Sequence, residues 1–162
     1  MGLSGYLKID DIEGESQRAE HENEIDVHGV HWKIEQATSS ARGAGRSRAR
    51  ALVSSLTCYK QADSSSAQLA LACFQGRSFS DVVLALVKES DGAHLDYLII
   101  TMENVVVSGF EMLNDGSNVD DELVSEEVAF SFEKVNYKYT VQADDHSAGD
   151  EHEIEFDIVA GH

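Results

Sequence analysis

Histidines, paired carboxylates and a run of arginines are the residues of this chain whose types and spacing invite chemistry. His28 and His31 stand three apart in a segment that alternates apolar and polar residues. On a strand this spacing sends the two rings to opposite faces, which is poor geometry for holding a metal. Asp144-Asp145-His146 and Glu151-His152-Glu153 offer donors to a cation, yet both lie in an acidic tail that reads as solvated surface. A general acid needs a desolvated carboxyl to keep its proton near neutral pH. Nothing around the pairs Asp120-Asp121 and Glu126-Glu127 implies one. Arg42-Gly43-Ala44-Gly45-Arg46 lacks the third glycine and the preceding strand of a dinucleotide loop. No Gly-x-Ser-x-Gly elbow is present. The reading is a protein with no catalytic residue, no cofactor and no metal. A β-sandwich that binds a cation or acts on a substrate is the remaining alternative.

The arginines are the polar feature that stands out. Arg42, Arg46, Arg48 and Arg50 lie within a Gly-, Ser- and Ala-rich stretch, 38–51, and make up four of the 12 basic residues. A loop of this length inside one domain is functional or solvated. Its functional reading is a basic contact with an acidic surface, which the rest of the chain supplies. Head-to-tail stacking of identical units would join the two with salt-sensitive attraction.

The elements that must position these residues are mostly strands. Tyr6–Ile9 opens the chain as a short β segment. Glu24–Gln36 reads as one long strand with Ile25, Val27, Gly29 and His31 on one face, a length that suits a barrel wall. Leu52–Tyr59, Val82–Val87, Leu95–Phe110, Val128–Val141 and a last segment around Ile154, Phe156 and Ile158 follow. Between them the spacing predicts a helix that starts at Asp63, its candidate N-cap, and stops at Gly76. It is apolar nearly all round, with Leu69, Cys73 and Phe74 as candidates for a contact with a neighbouring subunit. About seven strands and one helix make a β-barrel or sandwich with an inserted helix.

Composition bounds the rest. At 162 residues the chain is one domain, 1–162, able to bury roughly 70% of its unfolded surface. A net charge of −18 argues against nucleic acid, whose phosphates need a basic footprint. Cys58 and Cys73 form no disulfide framework. The first residues lack the basic and apolar regions of a signal peptide, and no window approaches a transmembrane length. The expectation is a cytoplasmic protein with no membrane insertion, and any export by a route without a cleaved signal.

Several motifs, in order, resemble the Hcp (haemolysin-coregulated protein) family. They are Tyr6-Leu7-Lys8-Ile9, Ile12-Glu13-Gly14-Glu15-Ser16, Glu24-Ile25-Asp26-Val27 with Trp32, Tyr59-Lys60, and Leu71-Ala72-Cys73 before Gly76. Tyr97-Leu98-Ile99-Ile100, Val105-Val106-Val107-Ser108 and Phe130-Ser131-Phe132 leading to Tyr137 and Tyr139 complete the set, spread over residues 3–141. The resemblance implies a mainly β fold, a β-barrel of two antiparallel sheets with one flanking α-helix, assembled as a hexameric ring. Such rings stack into the inner tube of the type VI secretion apparatus, and the protein is secreted through it. The implied partners are a spike protein at the tube tip, sheath proteins around it and effector proteins in the lumen. The 38–51 loop matches the family's extended loop, which reaches toward a neighbouring ring. No catalytic residue is implied. The chain departs from the family pattern at Val30-His31-Trp32, at Tyr139-Thr140-Val141 and in its acidic last strand. His31 is thereby a lumen candidate that would alter cargo preference and charge the lumen in mild acid; the alternative is a tolerated exposed histidine.

Overall fold

The computed structural model describes residues 2–38, 48–90 and 92–162; these described residues form eleven strands and one helix, and every strand pairing among them is antiparallel. β1 (Ser4–Ile9) lies between β2 (Ile25–Val27) and β7 (Ser78–Ser90). β7 pairs with β8 (Ala93–Leu113), β8 with β9 (Ser125–Ser131), β9 with β6 (Leu56–Gln61), and β6 with β3 (Gly29–His31). Only His28 separates β2 from β3, and its N–H donates to the Tyr59 carbonyl at 2.9 Å. One bent segment thus pairs with β1 at its start and with β6 at its end, which closes the strands into a barrel.

The long strand β8 changes partner along its length. Residues 98–103 pair with β10 (Lys134–Gln142), which carries β11 (Ala148–Asp157) on its far side. Residues 106–113 pair with β9, with a bulge at Ser108. Such a bulge bends the strand, as a closed sheet requires. β4 (Ile34–Thr38) and β5 (Arg48–Val53) pair as a separate two-stranded sheet.

The corners correct the sequence expectation of fewer, longer strands. Glu24–Gln36 is not one strand: Ile25 and Val27 are buried, whereas beyond His28 it is Val30 and Trp32 that pack on the core. Passing from β1 to β6 costs one residue of phase, so His31 faces away from the side that Ile25 and Val27 occupy. Leu52–Tyr59 breaks likewise at Ser54, whose N–H donates to the Lys33 carbonyl and whose Oγ accepts from the Lys33 N–H, both at 2.9 Å. Val128–Val141 divides at Phe132 and Glu133 into β9 and β10.

The interior is filled by the inward rows of the barrel, among them Leu7, Ile25, Leu56, Leu84, Met102, Val105 and Phe130. α1 (Ser66–Gln75) packs on β8 and adds Leu69 and Ala72 to this core. Ser65, not Asp63, is the N-cap; Asp63 Oδ1 instead accepts the Ser65 N–H at 2.8 Å. Gly76 ends the helix in the left-handed region, φ 61°, and the Arg77 N–H reaches back to the Ala72 carbonyl at 3.1 Å. Gly14 permits a second close approach. A Cβ there would stand 2.5 Å from the Glu24 carbonyl oxygen, because the 10–24 loop runs directly against the start of β2.

Candidate assembly surfaces

A buried ion pair anchors the helix. Lys60 on β6 is fully buried, and its Nζ reaches Glu126 Oε1 of β9 at 2.5 Å and Asp63 Oδ1 at 3.1 Å. Ser66 Oγ donates to the same Glu126 oxygen at 2.8 Å. A charge at this depth is tolerable because two carboxylates and a hydroxyl replace its water. The arrangement pins the first turn of α1 to the barrel wall and so sets which side of the helix faces out.

That outward side is apolar. Phe74 is 89% exposed and Leu71, one turn before it, is 45% exposed. Cys73 is half-buried. Leu69 does not belong to this surface: it is 0% exposed and packs on the chain's own core, which corrects its assignment to a contact with a neighbour. The sequence showed a helix apolar all round, and only the docking direction separates the side the barrel takes from the side it leaves.

A second surface is the outer face of the wall formed by β3, β6, β9 and the second half of β8. His31, Thr57, Ala129 and Gly109 lie in register across these four strands. Beside them Ser55 Oγ lies 3.0 Å from Ser108 Oγ and 2.9 Å from Ser131 Oγ. The neighbouring residues Leu56, Cys58, Val128 and Phe130 point inward and are buried. The outer face is therefore polar, small around Thr57, Ala129 and Gly109, with the exposed His31 on β3 and Tyr59, Glu127 and Glu111 further along the same face.

The arginines divide between described and undescribed residues. Arg48 and Arg50 lie on β5, and Arg50 is exposed; Arg42 and Arg46 lie outside the described residues. The acidic segments are surface. In β11, Glu151 and Glu155 meet Lys138 and Lys134 of β10 at 3.4 and 2.8 Å, and the Glu155 hydrogen bond raises the Lys134 ammonium above its ordinary value. His152 alternates to the other face of the strand from Glu151 and Glu153, so the three do not converge. Asp145 accepts from the Ser147 N–H and hydroxyl, which lowers its carboxyl. A cleft of about 550 Å³ beside β1 and β2 is lined by Glu15, Asp26 and Asp63. Burial, together with Asp63 and Glu15, pushes the Asp26 carboxyl up. Among the described residues no helix is long and apolar enough to cross a membrane.

Two polar clusters had no local signal in the sequence. Lys60 and Glu126 are 66 positions apart, and His21 meets Asp96 across 75. Neither pair forms a motif, because the partners meet only through pairing between elements distant in sequence, Lys60 and Glu126 directly across β6 and β9.

A closed antiparallel barrel with one flanking helix, a separate β4–β5 pair and a polar outer wall defines the structural class. The profile of a family described as "Type VI secretion system effector, Hcp" matches residues 6–139. Protein hcp1 of Pseudomonas aeruginosa is 30% identical over 145 residues, spanning 90% of this chain and 88% of that protein. Among solved structures, one of a type six secretion system protein superposes with a TM-score of 0.88 at 23% identity, covering 99% of this chain and 98% of the other. Hcp1 from Salmonella typhimurium superposes with a TM-score of 0.80 at 27% identity, covering 99% and 98%. The chain belongs to the Hcp family of type VI secretion proteins.

Proposed function

We propose that this protein is a structural, non-enzymatic subunit of the type VI secretion inner tube, forming hexameric rings that stack and leave the cell with effectors. The observation that carries the reading is the apolar face of α1. Phe74 and Leu71 stand in solvent on a helix whose opposite side is part of the core. A monomer gains nothing from exposing a whole phenyl ring, whereas a head-to-tail contact that buries it closes into a ring when the rotation closes. Arg42, Arg46, Arg48 and Arg50 serve the second joint, between rings, where they meet the acidic surface of the next one. Spike, sheath and lumenal effector proteins are the partners this role requires.

Electron microscopy of the purified protein, with native mass spectrometry, tests the reading. Annular particles with six chains are expected. A strictly monomeric protein at high concentration overturns it.

A second reading rests on His31. If the outer wall of β3, β6, β9 and β8 lines the lumen, the ring acts chiefly as a carrier, with His31 in contact with cargo. His31→Trp then loses cargo in a co-purification assay while rings persist; unchanged cargo removes His31 from the lumen.

A further inference from the structure

The strongest unused cluster of titratable groups surrounds His21, in the loop between β1 and β2. The ring is almost fully buried and stacks on Tyr6 of β1, with centroids 4.6 Å apart and planes 6° from parallel. Its two nitrogens face two different carboxylates. Nδ1 lies 2.9 Å from Glu24 Oε1, and Nε2 lies 3.0 and 3.1 Å from the oxygens of Asp96 on β8. A neutral imidazole has one N–H, so one carboxylate would then face a lone pair; only the imidazolium donates to both.

The surrounding charges extend the same link. Arg18, in the same loop, donates to the Tyr6 hydroxyl at 3.2 Å, pairs with Glu89 of β7, and lies 2.6 Å from His94 Nδ1 of β8. His94 Nδ1 is itself 3.6 Å from Glu89. The loop is thus tied to the end of the β7–β8 hairpin by His21 and Arg18 and folded on itself by the backbone bonds of Ser16, Asn23 and Glu24.

We propose that His21 is a proton-dependent clasp: charged, it bridges Glu24 and Asp96 and holds the 15–24 loop on the β7–β8 hairpin, and on losing its proton it loosens the loop from the barrel. Burial alone would lower its pKa, but the hydrogen bonds to Asp96 and Glu24 outweigh it and the net shift is upward. The sign follows. The extra stability of the closed loop is complete below the ordinary imidazole value of about 6.5 and disappears as pH rises through the raised one.

Hydrogen exchange on the full chain tests this. Protection of the Asn23 and Glu24 amides, corrected for intrinsic rates, is expected to fall about three- to tenfold between about pH 5.5 and about pH 8.5, with the β7 amides unchanged. In His21→Gln, which keeps hydrogen-bonding capacity without a proton to lose, protection is expected to be flat with pH. If that variant does not fold, Asp96→Asn serves, with a reduced pH response. Equal protection at both pH values in the parent chain overturns the proposal, as does an undiminished response in the variant that folds.

Discussion

Lys60 holds a full positive charge with no exposed surface, and its cost is met only while Glu126 and Asp63 remain in reach. Lys60→Met leaves two carboxylates without their cation and is expected to lower unfolding free energy by about 3–5 kcal/mol in urea titrations. Removing Glu126 as well, in Lys60→Met with Glu126→Leu, should recover much of that loss, because the uncompensated charge is what destabilises. Cys58 makes a second test at this scale. Burial pushes its thiol well above the usual range, and it sits at 0% exposure behind the wall. The thiolate is the nucleophile, so iodoacetamide at about pH 8 should leave Cys58 unmodified in the folded chain and alkylate it in urea. Peptide mass mapping reads the result directly.

Elements fail at their ends and crossings. Gly14→Ala sets a Cβ 2.5 Å from the Glu24 carbonyl oxygen and 2.6 Å from the Ile25 Cα. All of the obstructing atoms are Glu24–Ile25 backbone, so no side chain can yield, and a loss of at least about 2 kcal/mol is expected. Gly76→Ala meets no neighbour but forces φ 61° on a residue with a Cβ, for a smaller loss of about 1 kcal/mol. Measuring both by chemical denaturation separates a packing glycine from a conformational one. The helix supplies the functional contrast. Phe74→Asp touches no core residue, so stability of the dissociated subunit should change by less than about 0.5 kcal/mol. Sedimentation velocity should nevertheless show the ring lost. Much of α1 was legible beforehand: Gly76 as its stop, and an apolar content too high for one docked side. The role of Leu69 was not, because apolar residues on two sides of a helix look alike until one side is covered.

For the whole molecule, charge is the governing quantity. A chain with net charge −18 repels its copies, and under the proposed function Arg42, Arg46, Arg48 and Arg50 counter that repulsion between rings. Substituting all four with Ser should spare ring formation, assigned under the proposed function to the apolar face of α1, and weaken stacking of rings and secretion. Light scattering of the parent protein should likewise show stacking decline as salt rises and the Debye length falls from about 10 Å toward 3 Å. Normal tubes from the substituted protein would show that the arm's charge plays no part in stacking.

What the sequence by itself determined is the local part of this protein: its strand-rich content, one helix and its stop, an acidic surface with one basic stretch, and motifs whose order marks the family. Each of these is written in neighbouring residues or in total composition. Tertiary structure alone decided where strands break, which way His31 faces, which side of α1 is left in solvent, and that Lys60 meets Glu126 and His21 meets Asp96. The physical reason is closure. Periodicity reports the phase of a strand only until the chain turns a corner, and at His28 one residue of bend reverses every side chain beyond it. A charge pair 66 residues apart leaves no trace in either neighbourhood, because its members become neighbours only when β6 pairs with β9.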